Sequence, residues 1–176
     1  MTVLTDIVAL ESLKAFLEEH VAKEILLMPA QDNNVHNYAL VHPTVHLGYV
    51  PPAKLLPQGT EHVIPCILVG MESGEDTGTD ASLSIKLTFV IYNPGRYGEN
   101  GLSPDFSGYV DLLNLMGLVR QKLLARMSIN KTTIIQKPIN WGLYDEPPYP
   151  YWYGYMTFSV SVTSIQYTAD IEQIYE

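Results

Sequence analysis

Histidine is the residue type in this sequence with the most direct capacity for chemistry, and the chain has five of them. Four lie in one stretch with an acid nearby: His36, His42, His46 and His62, preceded by Asp32. His42 and His46 have the four-residue spacing that puts two metal ligands on one helix face. Pro43 and Gly48 disfavour a helix there, and residues four apart on a strand stand about 13 Å apart. We therefore expect loop histidines and no metal site. The alternative is a small metal-binding hydrolase built on residues 32–62.

The single cysteine, Cys66, lies within an apolar run from Val63 to Val69. A lone thiol forms no internal disulfide, and an apolar setting without a nearby cation predicts a core side chain instead of a nucleophile. The sequence also lacks the glycine-rich phosphate loops, the Gly-x-Ser-x-Gly elbow and the His-Glu-x-x-His pair of common enzyme classes. We predict a non-enzymatic protein with no catalytic residues and no cofactor.

The chain is acidic, with 19 acids, 10 bases and a formal net charge of −9. No cluster of lysine and arginine offers the positive footprint that phosphate binding needs, so direct nucleic-acid binding is not expected. No apolar stretch approaches the ~18 residues of a membrane span, and acids interrupt the first residues, where a signal peptide would be apolar. These features predict an intracellular protein with no membrane partner.

One short segment, residues 72–80, concentrates four acids without a base: Glu72, Glu75, Asp76 and Asp80. It lacks the alternating aspartates and the final glutamate of a calcium loop, and its glycines suit ordinary turns. We predict a polar hairpin loop with a flexible tip that projects from the sheet.

The most unusual stretch runs from Trp141 to Tyr153 and is dense in aromatic residues and proline. Rigid aromatic side chains serve as anchors in protein interfaces because they bury much area at low entropic cost. The predicted interface residues are Tyr149, Tyr151, Trp152 and Tyr153. The alternative is an aromatic cap over the edge of the chain's own sheet.

Apolar residues spaced three or four apart predict two amphipathic helices, over about residues 3–25 and 107–127. Leu113 and Leu124 widen the apolar stripe of the second helix, which predicts that it is the more buried of the two. Strands are predicted at residues 38–41, 63–71, 82–92, 131–136 and 152–167. Apolar and polar residues alternate most clearly in the strand at residues 82–92. In the last strand this alternation is lost at Ile165, which predicts a bulge near Ser164.

Repeated proline and glycine in residues 30–62 predict a long, partly ordered excursion after the first helix. After this excursion, the predicted elements are a hairpin, the second helix and two more strands, in that order. This order predicts a single α+β domain over residues 1–176, in which an antiparallel sheet carries both helices on one face.

Three stretches also resemble a known family: residues 87–95 (LTFVIYNPG), residues 108–124 (GYVDLLNLM and RQKLL) and residues 138–160 (PINW and YGYMTFSV). Together they resemble the tail terminator, or tail-completion, proteins of tailed bacteriophages and prophages over about residues 60–165. The resemblance implies an antiparallel sheet packed by helices. The excursion at residues 30–62 is longer than the family pattern leads us to expect.

The resemblance further implies a structural subunit that closes into a homo-hexameric ring, ends the tail tube and joins it to the head. The implied partners are further copies of the chain, the tail tube protein and the head–tail connector protein, with a sheath protein as an additional candidate. The implied place is the tail or neck of the virion, after assembly in the bacterial host cytoplasm. Another neck or tail-tube protein is the neighbouring alternative.

In such a ring, genome DNA would only pass through the channel. Acidic groups on the channel wall would repel the phosphates and keep the DNA mobile. We therefore predict that Glu72, Glu75, Asp76 and Asp80 face the channel.

Overall fold

The computed structural model describes residues 5–30, 38–52 and 62–164. Helix α1 spans Thr5–His20 and is followed by a short 3₁₀ turn at Ala22–Glu24. Helix α2 spans Ser107–Arg126. Both predicted helices are confirmed, and the 3₁₀ turn accounts for the last part of the first prediction.

Seven strands complete the described fold. Their bounds are β1 Thr44–Leu47, β2 Cys66–Asp76, β3 Ala81–Tyr92, β4 Arg96–Gly98, β5 Gly101–Ser103, β6 Ile134–Leu143 and β7 Tyr151–Val162. Five strands form the main sheet in the order β1-β2-β3-β7-β6, and β4 pairs with β5 in a small hairpin within the predicted loop after β3.

Strand β3 lies at the centre of the sheet and shows the predicted alternation. Ile85, Leu87 and Phe89 are fully buried, whereas the residues between them are only half-buried. Leu13 of α1 and Leu115 of α2 belong to the same core cluster, so both helices pack on one face of the sheet. The predicted α+β class is confirmed.

The sheet is mixed, because β1 runs parallel to β2 whereas the other main pairings are antiparallel. The strand predicted at residues 38–41 is reduced to one bridge, in which Leu27 and Val41 exchange hydrogen bonds of 2.8 Å. The excursion after α1 therefore contributes an edge strand, β1, that lies further along the chain than predicted. Residues 31–37 and 53–61 of the excursion lie outside the described ranges.

Most of the acidic segment is strand, and the prediction of a loop over residues 72–80 is wrong in its extent. The connection between β2 and β3 is only residues 77–80, closed by hydrogen bonds from Thr77 N to Asp80 O (2.9 Å) and from Gly78 N to Asp76 Oδ1 (2.8 Å). Strand β1 covers only the first four residues of β2. Glu72, Glu75 and Asp76 thus lie on a part of β2 that no described strand covers, where charged side chains hinder unwanted strand pairing.

The last two strands also differ from their predicted bounds. Strand β6 continues through Pro138 to Leu143, because the proline lies in an irregularity of the register between Gln136 and Asn140 on an edge strand. Strand β7 pairs with β3 without interruption up to Val162. The bulge predicted near Ser164 falls beyond the strand, and residues 165–176 lie outside the described ranges.

Candidate functional site: the interaction surfaces

The predicted interface residues lie where β3 ends and β7 begins. Tyr92 of β3 pairs with Tyr151 of β7, and their rings meet edge to face with centroids 5.5 Å apart. Tyr149 is 57% exposed, and its hydroxyl donates a hydrogen bond of 2.8 Å to the carbonyl of Pro94. We call Tyr92, Tyr149, Tyr151 and Tyr153 the tyrosine end of the sheet.

Trp152 packs within its own molecule. Its indole N–H donates to the carbonyl of Asn93 over 3.1 Å, and its ring meets Tyr109 edge to face at 6.3 Å. Gly108, in the first turn of α2, lies so close to the indole that a Cβ there would overlap it. Trp152 therefore fastens α2 to an interior strand of the sheet and is not a cap over its edge, and Tyr149 is the interface candidate that faces outward.

Tyr153 and Cys66 lie on the sheet face away from the helices, with Val90 between them in the ladder. Burial, with smaller contributions from Tyr151 and Cys66, raises the pKa of Tyr153. Burial also raises the pKa of the Cys66 thiol to about 12. The thiol is therefore protonated at neutral pH, and the prediction of a core cysteine is confirmed.

The four acids predicted to line a channel have different surroundings. Glu72 pairs with Lys86 of β3, with 3.5 Å between Oε1 and Nζ, so this carboxylate is compensated by a base that lies outside the acidic segment. Asp76 accepts hydrogen bonds from the Gly78 amide and the Ser164 hydroxyl, at 2.8 and 2.7 Å. Glu75 and Asp80 are exposed. We call Glu75, Asp76 and Asp80 the acidic end of the sheet.

The tyrosine end and the acidic end are positioned by opposite termini of the same strand. Tyr92 pairs with Tyr151 at one terminus of β3, and Ala81 pairs with both Asp76 and Val162 at the other. At a rise of about 3.3 Å per residue, the two termini are about 36 Å apart. The interface candidates and the channel candidates therefore belong to two separate surfaces.

The histidines of the alternative hypothesis are held by separate partners. His42 Nδ1 lies 2.8 Å from the Ile25 carbonyl oxygen, and His46 Nε2 lies 3.0 Å from the Thr44 hydroxyl. Burial lowers the pKa of His46, and the charge of Lys14 adds to this effect. Among the described residues, no group of three His, Cys, Asp or Glu side chains could hold a metal ion. Asp32 and His36 fall outside those ranges.

A third surface, on the outside of α2, was not predicted. Leu113 and Leu124, which the sequence assigned to the buried stripe, are each 39% exposed. They continue an apolar row from the start of the helix, where Phe106 is 78% and Val110 is 52% exposed. The residues of this row are spaced at helical intervals, as in a second apolar stripe. This spacing is the sequence signal that would have identified the third surface. We call Phe106, Val110, Leu113, Gly117 and Leu124 the outer stripe.

The outer stripe contains a shallow pocket of about 180 Å³ beside Gly117. Its walls are Leu113, Met116, Arg120 and Trp141, with the Arg120 guanidinium 4.0 Å from the centre of the Trp141 ring. A Cβ on Gly117 would meet no atom within 4 Å, so the space over this glycine is unfilled. The pocket suits one large apolar side chain.

In the described part of the chain, no helix is long and apolar enough to span a membrane. No protein-family model matches the chain, and no curated protein matches it significantly.

Proposed function

We propose that this chain is a non-enzymatic structural subunit of a phage or phage-like tail. In this role it forms a hexameric ring that terminates the tail tube and joins it to the head connector, as part of the virion's neck. The proposal starts from the resemblance carried by residues 87–95, 108–124 and 138–160. The α+β fold has both helices on one face of the sheet, as the resemblance implies, and the sheet is antiparallel except for the parallel edge strand β1.

The observation that carries the proposal is the separation of two unlike surfaces on one sheet. A ring subunit needs a surface for its neighbour and another for the channel, and both must be held at a fixed distance. The tyrosine end offers exposed aromatic area of the kind that interfaces use, with Tyr149 57% exposed. The acidic end, about 36 Å away along β3, offers carboxylates that repel DNA phosphates.

A tube-growth experiment tests the proposal. Purified tail tube protein is polymerised with and without the chain, and tube lengths are measured by electron microscopy. We expect shorter tubes with the chain present, each closed at one end by extra density. Tubes that grow to the same lengths and bind none of the chain would contradict the proposal.

A pair of variants sharpens the same experiment. Tyr149→Ala removes an exposed ring at the tyrosine end and is expected to abolish capping. Asn114→Ala removes an exposed polar side chain from α2, away from both ends of the sheet, and is expected to cap as the unaltered chain does. Loss of capping in both variants would indicate misfolding and not a specific contact.

A further inference from the structure

The outer stripe follows one line from Phe106, the N-cap of α2, to Leu124, and is interrupted by Arg120 and Gln121 after Gly117. With 100° per residue, positions 106, 110, 113, 117 and 124 fall within about 40° of one line. The backbone amide of Val110 donates to the carbonyl of Phe106 over 3.2 Å, so Phe106 is the N-cap residue directly before the first turn. The buried residues Leu112, Leu115 and Val119 face the sheet from a different side of the helix. The outer stripe is therefore a second apolar face.

The side-chain sizes along this row are complementary to the same row read in the opposite direction. If two α2 helices lie antiparallel with the midpoint between residues 111 and 112, Phe106 of one faces Gly117 of the other. Val110 then faces Leu113 in both directions. The most exposed large apolar side chain of the described residues thus meets the open pocket beside Gly117, and two medium-sized side chains meet each other.

The rim of the pocket carries one positively charged side chain. Arg120 stacks on Trp141 and forms no ion pair within the described chain. In the antiparallel register, Phe106 of the other copy enters the pocket that Arg120 lines, so its ring comes close to this guanidinium.

From this self-complementarity we infer that the outer stripe binds a second copy of the chain in a two-fold, antiparallel α2–α2 contact, with Phe106 inserted beside Gly117 and Trp141. The overlap of residues 106–117 is about 16 Å long at 1.5 Å per residue. Such a contact belongs to the small end of protein interfaces, so the pair is weak and reversible. The inference goes beyond the proposed function, because a two-fold pair in free solution does not depend on any tail.

The test exchanges the large and the small residue. Phe106→Ala leaves two empty pockets in a pair of identical copies, and Gly117→Phe puts two large side chains in conflict. Each variant alone is expected to dimerise at least about 30-fold more weakly than the unaltered chain, the effect of one interface anchor.

A mixture of the two variants restores one large and one small side chain at each contact. At one contact, the shortened side chain of the Phe106→Ala copy faces the enlarged side chain of the Gly117→Phe copy. At the other contact, the original Gly117 and the original Phe106 face each other. The mixed pair is therefore expected to be tighter than a pair of either variant with itself.

Sedimentation equilibrium measures the dissociation constants of the unaltered chain, each variant and the mixture. Circular dichroism melting confirms that each variant is folded, and Glu11→Ala, an exposed change on α1, serves as a control outside the outer stripe. The expected result is a mixed dimer tighter than either variant alone. A chain that remains monomeric at millimolar concentration would overturn the inference. Dimers that persist unchanged in both single variants would overturn it equally.

Discussion

At the scale of single residues, two glycines of α2 have opposite surroundings. Gly108 lies against the indole of Trp152, and an added methyl group would overlap it, whereas Gly117 faces open space. We expect Gly108→Ala to lower the free energy of unfolding by about 1–3 kcal/mol through overpacking. Gly117→Ala is the matched control and is expected to raise it by about 0.5–1 kcal/mol, because alanine favours the helix. Urea unfolding at micromolar concentration measures both, and equal effects would contradict the assigned role of Trp152.

Two aromatic residues of the segment 141–153 should likewise differ in whether they stabilise the fold or the assembly. Trp152→Ala removes a packed indole and its hydrogen bond to Asn93, so we expect a loss of about 3 kcal/mol of unfolding free energy. Tyr149→Ala removes a mostly exposed ring and one hydrogen bond, so we expect a loss of about 1 kcal/mol. For the capping of tail tubes we expect the opposite order among molecules that are still folded, so that Tyr149→Ala weakens capping more than Trp152→Ala does. A Tyr149 variant that melts as early as the Trp152 variant would contradict this division.

At the scale of elements, the local sequence pattern was sufficient to predict a helix or strand that buries one face. The alternation of residues 82–92 predicted β3 to within one residue, and the apolar spacing of residues 107–127 predicted α2 as closely. These patterns are visible because burial on one side imposes a period on the sequence.

Elements at the edges of the sheet were not predictable in this way. Strand β1 could not be recognised from the sequence because Pro43 and two histidines lie in it or next to it. Its parallel pairing with β2 joins distant segments and leaves no local signal. Pro138 and polar neighbours hide the second half of β6, which tolerates them because it is an edge strand. The acids of β2 resemble a loop for the same reason. The exposed outer stripe was missed because an apolar residue in a helix was assumed to be buried.

The edge strand β1 gives a prediction for pH. The pKa of His46 is lowered from its ordinary value of 6.5 in the folded chain, mainly by burial. The folded chain therefore binds fewer protons at this site than the unfolded chain does, and stability rises with pH. This contribution is complete above pH 6.5 and is lost as the pH falls through 6.5 towards the folded pKa. We expect His46→Gln to reduce the loss of unfolding free energy between about pH 7.5 and about pH 5.

Urea unfolding of the unaltered chain and the His46→Gln variant at both pH values checks this prediction. The other histidines are present in both proteins, so the difference between the two pH dependences isolates His46. Identical pH dependences would show that His46 binds protons equally well in the folded and unfolded chains, and would contradict the lowered pKa.

At the scale of the whole molecule, the acidic end gives a prediction for DNA movement. Asp76 holds the turn through the Gly78 amide, so the charge is better changed at the exposed residues Glu75 and Asp80. We expect Glu75→Lys with Asp80→Lys to leave ring assembly intact and to slow DNA ejection, because basic groups hold phosphates. Glu75→Gln with Asp80→Asn is the control, with a smaller effect. Normal ejection by the lysine variant would show that the charge of this end does not matter.

The central claim is that this chain closes the end of a tail tube as a ring with the tyrosine end and the acidic end on separate surfaces. The most direct measurement is cryo-electron microscopy of tail tubes bound by the chain, without imposed symmetry. The account predicts six copies at the tube end, with Glu75 and Asp80 nearest the six-fold axis and Tyr149 in contact with another protein subunit. Tubes without bound chain, or a bound complex of another symmetry, would contradict it.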